Sequence, residues 1–127
     1  MAHAVDQSAR PAAGEIVIVD WRRDRRPDEP GNVRPAVVLE AEALFPDGYP
    51  NLIVVPLTRD SRFGLMSALV ERILPTDRNG ATDTCWAVCH HVSTVSRNRV
   101  RPTGSCVTAA QLASMRAKLA LAVGLGA

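Results

Sequence analysis

The sequence predicts a mainly β domain closed by a single C-terminal helix, an α+β arrangement of about five to seven strands. Short apolar runs rich in β-branched residues recur between Ile16 and Val95, each bounded by Gly, Pro, Asn or Asp. Helical spacing of apolar residues occurs clearly only over Thr108–Val123. The length of 127 residues suffices for one hydrophobic core and is too short for two. The expected organisation is a flexible N-terminal tail over 1–13 and one domain over 14–127.

Ile16 to Trp21 is the first predicted strand, entered through Gly14. Arg22 to Asn32 follows as a loop, because Pro27, Pro30 and Gly31 break any regular pattern. Pro35 to Glu40 is the second strand, with the proline at its start where a missing N–H costs least. Glu42 to Asn51 reads as a turn region, and Leu52 to Leu57 as a strand apolar on both faces. Ser67 to Leu74 is expected to be a strand, and Pro75 to Thr84 a turn centred on Asn79-Gly80. Cys85 to Val95 is predicted as one continuous strand, with Cys85, Ala87, Cys89, His91 and Ser93 on one side. Thr108 is placed to cap the helix, Leu112, Met115, Leu119 and Ala122 form its apolar stripe, and Gly124 ends it.

A composition of 46% hydrophobic and 22% charged residues is that of a globular chain. No apolar run approaches the roughly 20 residues of a membrane span. Met1 to Ala13 lacks the apolar stretch of a secretion signal, so a cytoplasmic location is expected. The net charge of +2 says little about partners, but arginine supplies fourteen of the fifteen cationic side chains and Lys118 the other. High-GC codon usage, which favours arginine over lysine, is one reading of that bias. Even so, arginine's planar fork suits phosphate recognition. Three cysteines without a secretion signal are expected to be reduced thiols.

Cys85-x3-Cys89-His90-His91 has no zinc spacing, and on an extended strand His90 points away from Cys89 and His91. No metal site is therefore expected. Neither a glycine-rich phosphate loop nor a serine nucleophile elbow is present. The remaining cationic feature is Arg22, Arg23, Arg25 and Arg26, interleaved with Asp24, Asp28 and Glu29, ahead of Arg34. Arg34 precedes Pro35, which holds it extended and ready to address a phosphate with little reorganisation.

Four segments in order resemble the PemK/MazF toxins of bacterial toxin–antitoxin systems. Gly14-Glu15-Ile16-Val17-Ile18-Val19-Asp20-Trp21 is similar to the family's opening strand. Asp28-Glu29-Pro30-Gly31-Asn32-Val33-Arg34-Pro35-Ala36-Val37-Val38-Leu39 resembles its signature, and Val55-Pro56-Leu57-Thr58 its third strand end. Val107 to Leu125, with Ala117-Lys118-Leu119, resembles the final helix. The resemblance implies an SH3-like barrel of the CcdB/MazF type, a homodimer, and metal-independent cleavage of single-stranded RNA without a cofactor. It also implies a cognate antitoxin with an acidic, partly disordered tail.

Carried over residue by residue, the resemblance makes Arg34 and Thr58 the catalytic positions. Glu29, His91 and Ser93 fall at substrate-contact positions, and Trp21, Arg22, Arg23 and Pro35 complete that expected set. Three departures stand out: Pro30 replaces a glutamine, Ser93 a basic residue, and His90 an acidic one. His91 reads either as a groove-lining or dimer-contact residue or as a candidate for proton transfer, because imidazole titrates near neutrality. The competing reading is a non-catalytic or gyrase-poisoning toxin on the same barrel. A gyrase poison of this type works through C-terminal aromatics, and Ala120 to Ala127 has none.

Overall fold

The computed structural model describes residues 10–21 and 33–126. Within them lie seven strands: β1 (Glu15–Asp20), β2 (Val33–Val38), β3 (Asn51–Thr58), β4 (Val70–Ile73), β5 (Cys85–Val88), β6 (Ser93–Ser96) and β7 (Val100–Cys106). One helix, α1 (Ala109–Ala122), follows. The strands make one antiparallel sheet in the order β4-β5-β3-β2-β1-β7, with β6 paired to β3. The expected mainly β architecture with a C-terminal helix is the one observed.

The apolar runs are buried on both faces because the sheet has a core on each side. Ile16, Val37, Val55 and Leu57 face Met115 of α1, with Leu112 and Leu119 packed alongside. Val17, Val19, Ala36, Val38, Leu52 and Val54 of the same three strands form a second cluster, against which Trp21 and Val100 pack. Alternation with a period of two thus fills both cores from the same three strands. α1 begins with a reciprocal cap: Thr108 Oγ1 accepts from Gln111 N at 3.0 Å, and Thr108 N donates to Gln111 Oε1 at 2.8 Å. Lys118 Nζ donates to Glu71 Oε1 at 2.8 Å and to the Val70 carbonyl at 3.0 Å, fastening the helix to β4.

Four expectations are corrected. Cys85–Val95 is not one strand, because a 3-10 turn over Cys89–His91 separates β5 from β6. Leu57 faces Ala87 while Val54 faces Ser93, so three steps along β3 match six along its neighbour. The surplus is the turn. It keeps Cys89 in the core with Cys85 and Ala87 but leaves His91 exposed. The strand expected from Ser67 begins only at Val70, after a turn in which Leu69 N donates to the Met66 carbonyl.

Strand β7 is not among the elements expected from the sequence, and it contains Pro102 and Gly104. It is the last strand beyond β1, a location that tolerates proline. The fourth correction concerns the N-terminus. Arg10 is buried against the sheet rather than part of a free tail, its side chain 4% exposed and paired with Glu40, which is 0% exposed. Among the described residues, no helix is long and apolar enough to cross a membrane.

Candidate functional site

Antiparallel pairing places the start of β2 and the end of β3 at the same end of the sheet. The last paired residues there are Ala36 and Pro56. Arg34 and Thr58 lie two residues beyond that pair, on the neighbouring strands β2 and β3. Both line a groove of about 710 Å³. Its apolar lining includes Ile16, Ile18, Pro35, Leu57, Ile73 and Cys85. Its polar lining comes from Arg34, Thr58, Arg59 and Asp60 on one side and Asn79, Thr82, Asp83, Thr103 and Ser105 on the other.

Thr58 is held by the turn that follows it. Its Oγ1 accepts from Asp60 N at 3.1 Å, which leaves the hydroxyl proton available to donate outward. Asp60 in turn accepts from Arg62 N at 3.0 Å, Arg62 Nε at 3.0 Å and Arg62 Nη2 at 2.6 Å. Hydrogen bonding to the Arg62 side chain, then to its backbone N–H, holds the Asp60 carboxyl down at about 2. Gly64 sits where this segment crosses Trp86: a Cβ there would lie 3.1 Å from the indole Nε1. Trp86 is itself the β5 partner of Thr58.

The opposite wall is organised by Asn79, a buried polar residue. Its Oδ1 accepts from Thr76 N and Ala81 N, each at 3.0 Å, and its Nδ2 donates to the Leu74 carbonyl at 2.8 Å. Cys106 N donates to the Arg78 carbonyl at 2.9 Å, docking the loop onto β7. Gly80 adopts φ +66° and sits so close that a Cβ would lie 2.8 Å from Ser105 Oγ. Across the groove mouth, Arg59 Nη1 donates to Asp83 Oδ2 at 3.2 Å.

Of the residues singled out in sequence, Arg34, Pro35 and Thr58 share this groove. Trp21 packs on the second core cluster instead. His91 lies edge-on to Phe63, with ring centroids 5.8 Å apart, and Ser93 Oγ donates to the His91 carbonyl at 2.9 Å. Neither lines the groove. Desolvation of the ring, and secondarily the neighbouring His90, push the His91 pKa below its ordinary value. Arg22, Arg23 and Glu29 lie outside the described residues. Burial pushes the Cys85 and Cys89 thiols up, so both stay protonated near neutrality, which is not the state of a nucleophile.

Asp83, Thr103 and Ser105 line the groove without any signal in the sequence that singles them out, and Arg59 and Asp60 enter it from the loop after β3. Asn79-Gly80 was read as a turn, and only its packing on β7 makes it a wall.

The fold is that of the MazF toxins. The Mycobacterium tuberculosis toxin MazF-mt6 superposes with a TM-score of 0.69 at 20% identity, covering 89% of this chain and 99% of that one. MazF from Deinococcus radiodurans gives 0.68 at 24% identity, covering 91% and 97%. An endoribonuclease in complex with its cognate antitoxin, from a mycobacterial species, gives 0.70 at 17% identity, covering 93% and 99%. A comparison with curated proteins found no significant match. Residues 12–123 match the sequence profile of the PemK-like, MazF-like toxins of type II toxin-antitoxin systems, and the chain belongs to that family.

Proposed function

We propose that the chain is the toxin of a toxin–antitoxin pair and acts as an endoribonuclease on single-stranded RNA, without a metal, as the family resemblance implies. The observation that carries the assignment is the juxtaposition of Arg34 and Thr58 at adjoining strand ends in one groove. Cleavage by the neighbouring 2′-OH builds charge on the non-bridging phosphate oxygens of a pentacoordinate phosphorus. The Arg34 guanidinium can donate two hydrogen bonds to those oxygens, which strengthen as the charge develops. Thr58 donates another, its oxygen already anchored by Asp60 N.

Asp60, held near 2, is too weak a base to take the 2′ proton at neutral pH. A guanidinium is also a poor base at its ordinary pKa. Charge stabilisation is therefore the larger role of the Arg34–Thr58 pair. The same reading makes the active form a cytoplasmic homodimer. Its antitoxin covers the groove with an acidic segment, in keeping with the antitoxin complex among the structural relatives.

Incubating the purified protein with a single-stranded RNA panel in EDTA tests this directly. Wild type should cut. Arg34→Ala and Thr58→Val should each lose about a hundredfold or more in rate with an unchanged circular dichroism spectrum. Full cleavage by Arg34→Ala would remove the assignment. Absence of cleavage by wild type would favour a non-catalytic toxin.

A further inference from the structure

The groove carries a second cation beside the Arg34–Thr58 pair. Arg59 directly follows Thr58, and Asp83 lies on the facing wall. Their side chains meet at 3.2 Å while remaining 74% and 65% exposed. An ion pair that open to water is weak and exchanges partners readily. The residue after Arg59 is fixed by Asp60 N donating to Thr58 Oγ1, and Asn79 Oδ1 fixes the N–H of Ala81, two residues before Asp83.

The neighbouring carboxylate does not compete for Arg59, because Asp60 is engaged by Arg62. Arg59 has five N–H donors, and one contact to Asp83 leaves the others available to a second anion. A phosphodiester matches the guanidinium fork as a carboxylate does.

We infer that Arg59 and Asp83 form a phosphate-exchange latch across the groove mouth. The Asp83 carboxylate occupies Arg59 until a phosphate adjacent to the scissile one displaces it. Arg59 is then a substrate-binding residue, and Asp83 is an internal competitor that sets affinity and disfavours ligands with few phosphates. This rests on reading the groove as an RNA site.

The test uses the full-length protein and a fluorescent single-stranded RNA carrying the mapped cut site, with a 2′-deoxy ribose at the attacking position. Binding is followed by anisotropy across a salt series, and KM and kcat are measured on the uncapped ribose version. Arg59→Ala should weaken binding about tenfold and reduce the slope of log affinity against log salt by about 0.7, the loss of one single-strand phosphate contact. The change should fall mainly on KM, with Arg59→Lys intermediate. Asp83→Asn should tighten binding about threefold, and that gain should shrink to within about 1.5-fold when Arg59 is already alanine.

Equal tightening in both backgrounds would overturn the latch, leaving Asp83 as a charge that merely repels RNA. An Arg59→Ala variant with wild-type affinity and salt slope would also overturn it. Should wild type neither bind nor cut RNA, the RNA reading falls with it. Wild-type cleavage combined with silent Arg59 and Asp83 variants would sink the latch alone.

Discussion

Thr58 shows how a single hydroxyl acquires a direction. Its oxygen accepts from Asp60 N, and the Asp60 carboxylate is in turn clasped by Arg62. The Asp60 pKa is lowered from 3.8 to about 2, so the clasp favours the folded turn at any pH above 3.8. That contribution fades as pH falls through about 2. Carboxyl NMR should accordingly give Asp60 a midpoint near 2, returning toward 3.8 in Arg62→Ala. A midpoint unchanged by that substitution would assign the shift to something other than Arg62. Loss of activity between neutrality and pH 4 must then come from a different group.

At this scale Arg34 and Thr58 were legible, because each sits in a recognisable segment at a strand end. Arg59 and Asp83 were not. Exposed charges 24 residues apart look alike in sequence until the chain brings two of them together.

Elements were legible where burial enforces a period, and obscured where the chain leaves it. β1, β2 and β3 were readable because each is apolar on both faces. The break between β5 and β6 was hidden, since Cys89-His90-His91 carries no glycine or proline to signal a turn. β7 was hidden for the opposite reason: Pro102 and Gly104 imitate a loop, yet a terminal strand accommodates them.

Gly80 has two independent reasons to be glycine there, its positive φ and its contact with Ser105. Gly80→Ala should destabilise the fold by about 1–3 kcal/mol through the left-handed backbone and the crowding together. Adding Ser105→Ala should return only the crowding part, since Ser105 Oγ is the near atom and φ is unaffected. Denaturant midpoints of the two variants separate these contributions. Full recovery in the double variant would mean that the backbone strain is negligible.

For the molecule as a whole, the least legible feature is where the folded domain begins. The family match starts at residue 12, and a tail was expected up to Ala13. Arg10 nevertheless reaches across to the sheet, with Nε donating to Glu40 Oε2 at 2.9 Å. Its Nη1 and Nη2 donate to the carbonyls of Tyr49 and Asn51 at 2.7 and 2.8 Å. Its guanidinium carbon lies 5.1 Å from the Phe45 ring centroid and 5.5 Å from that of Tyr49. The same carboxylate accepts from Ile53 N at 3.1 Å, and Arg116 Nη2 donates to the Glu40 carbonyl at 3.1 Å. One arginine thus joins the N-terminal segment, the turn before β3 and the end of β2, while a second ties α1 to the same point.

A composition-based reading has no access to this, because Arg10 in isolation is one more surface cation and Glu40 one more strand-end acid. Removing one partner of so buried a pair strands the other, so Arg10→Ala should cost about 3–5 kcal/mol, measured by urea unfolding. Replacing both, as Arg10→Met with Glu40→Met, should recover part of that loss by eliminating the stranded charge. Recovery should stop short of wild type by about 1–3 kcal/mol, because Ile53 N loses its acceptor. An Arg10→Ala variant as stable as wild type would place the start of the cooperative unit after residue 10, leaving the Glu40 carboxylate to be satisfied by Ile53 N and water.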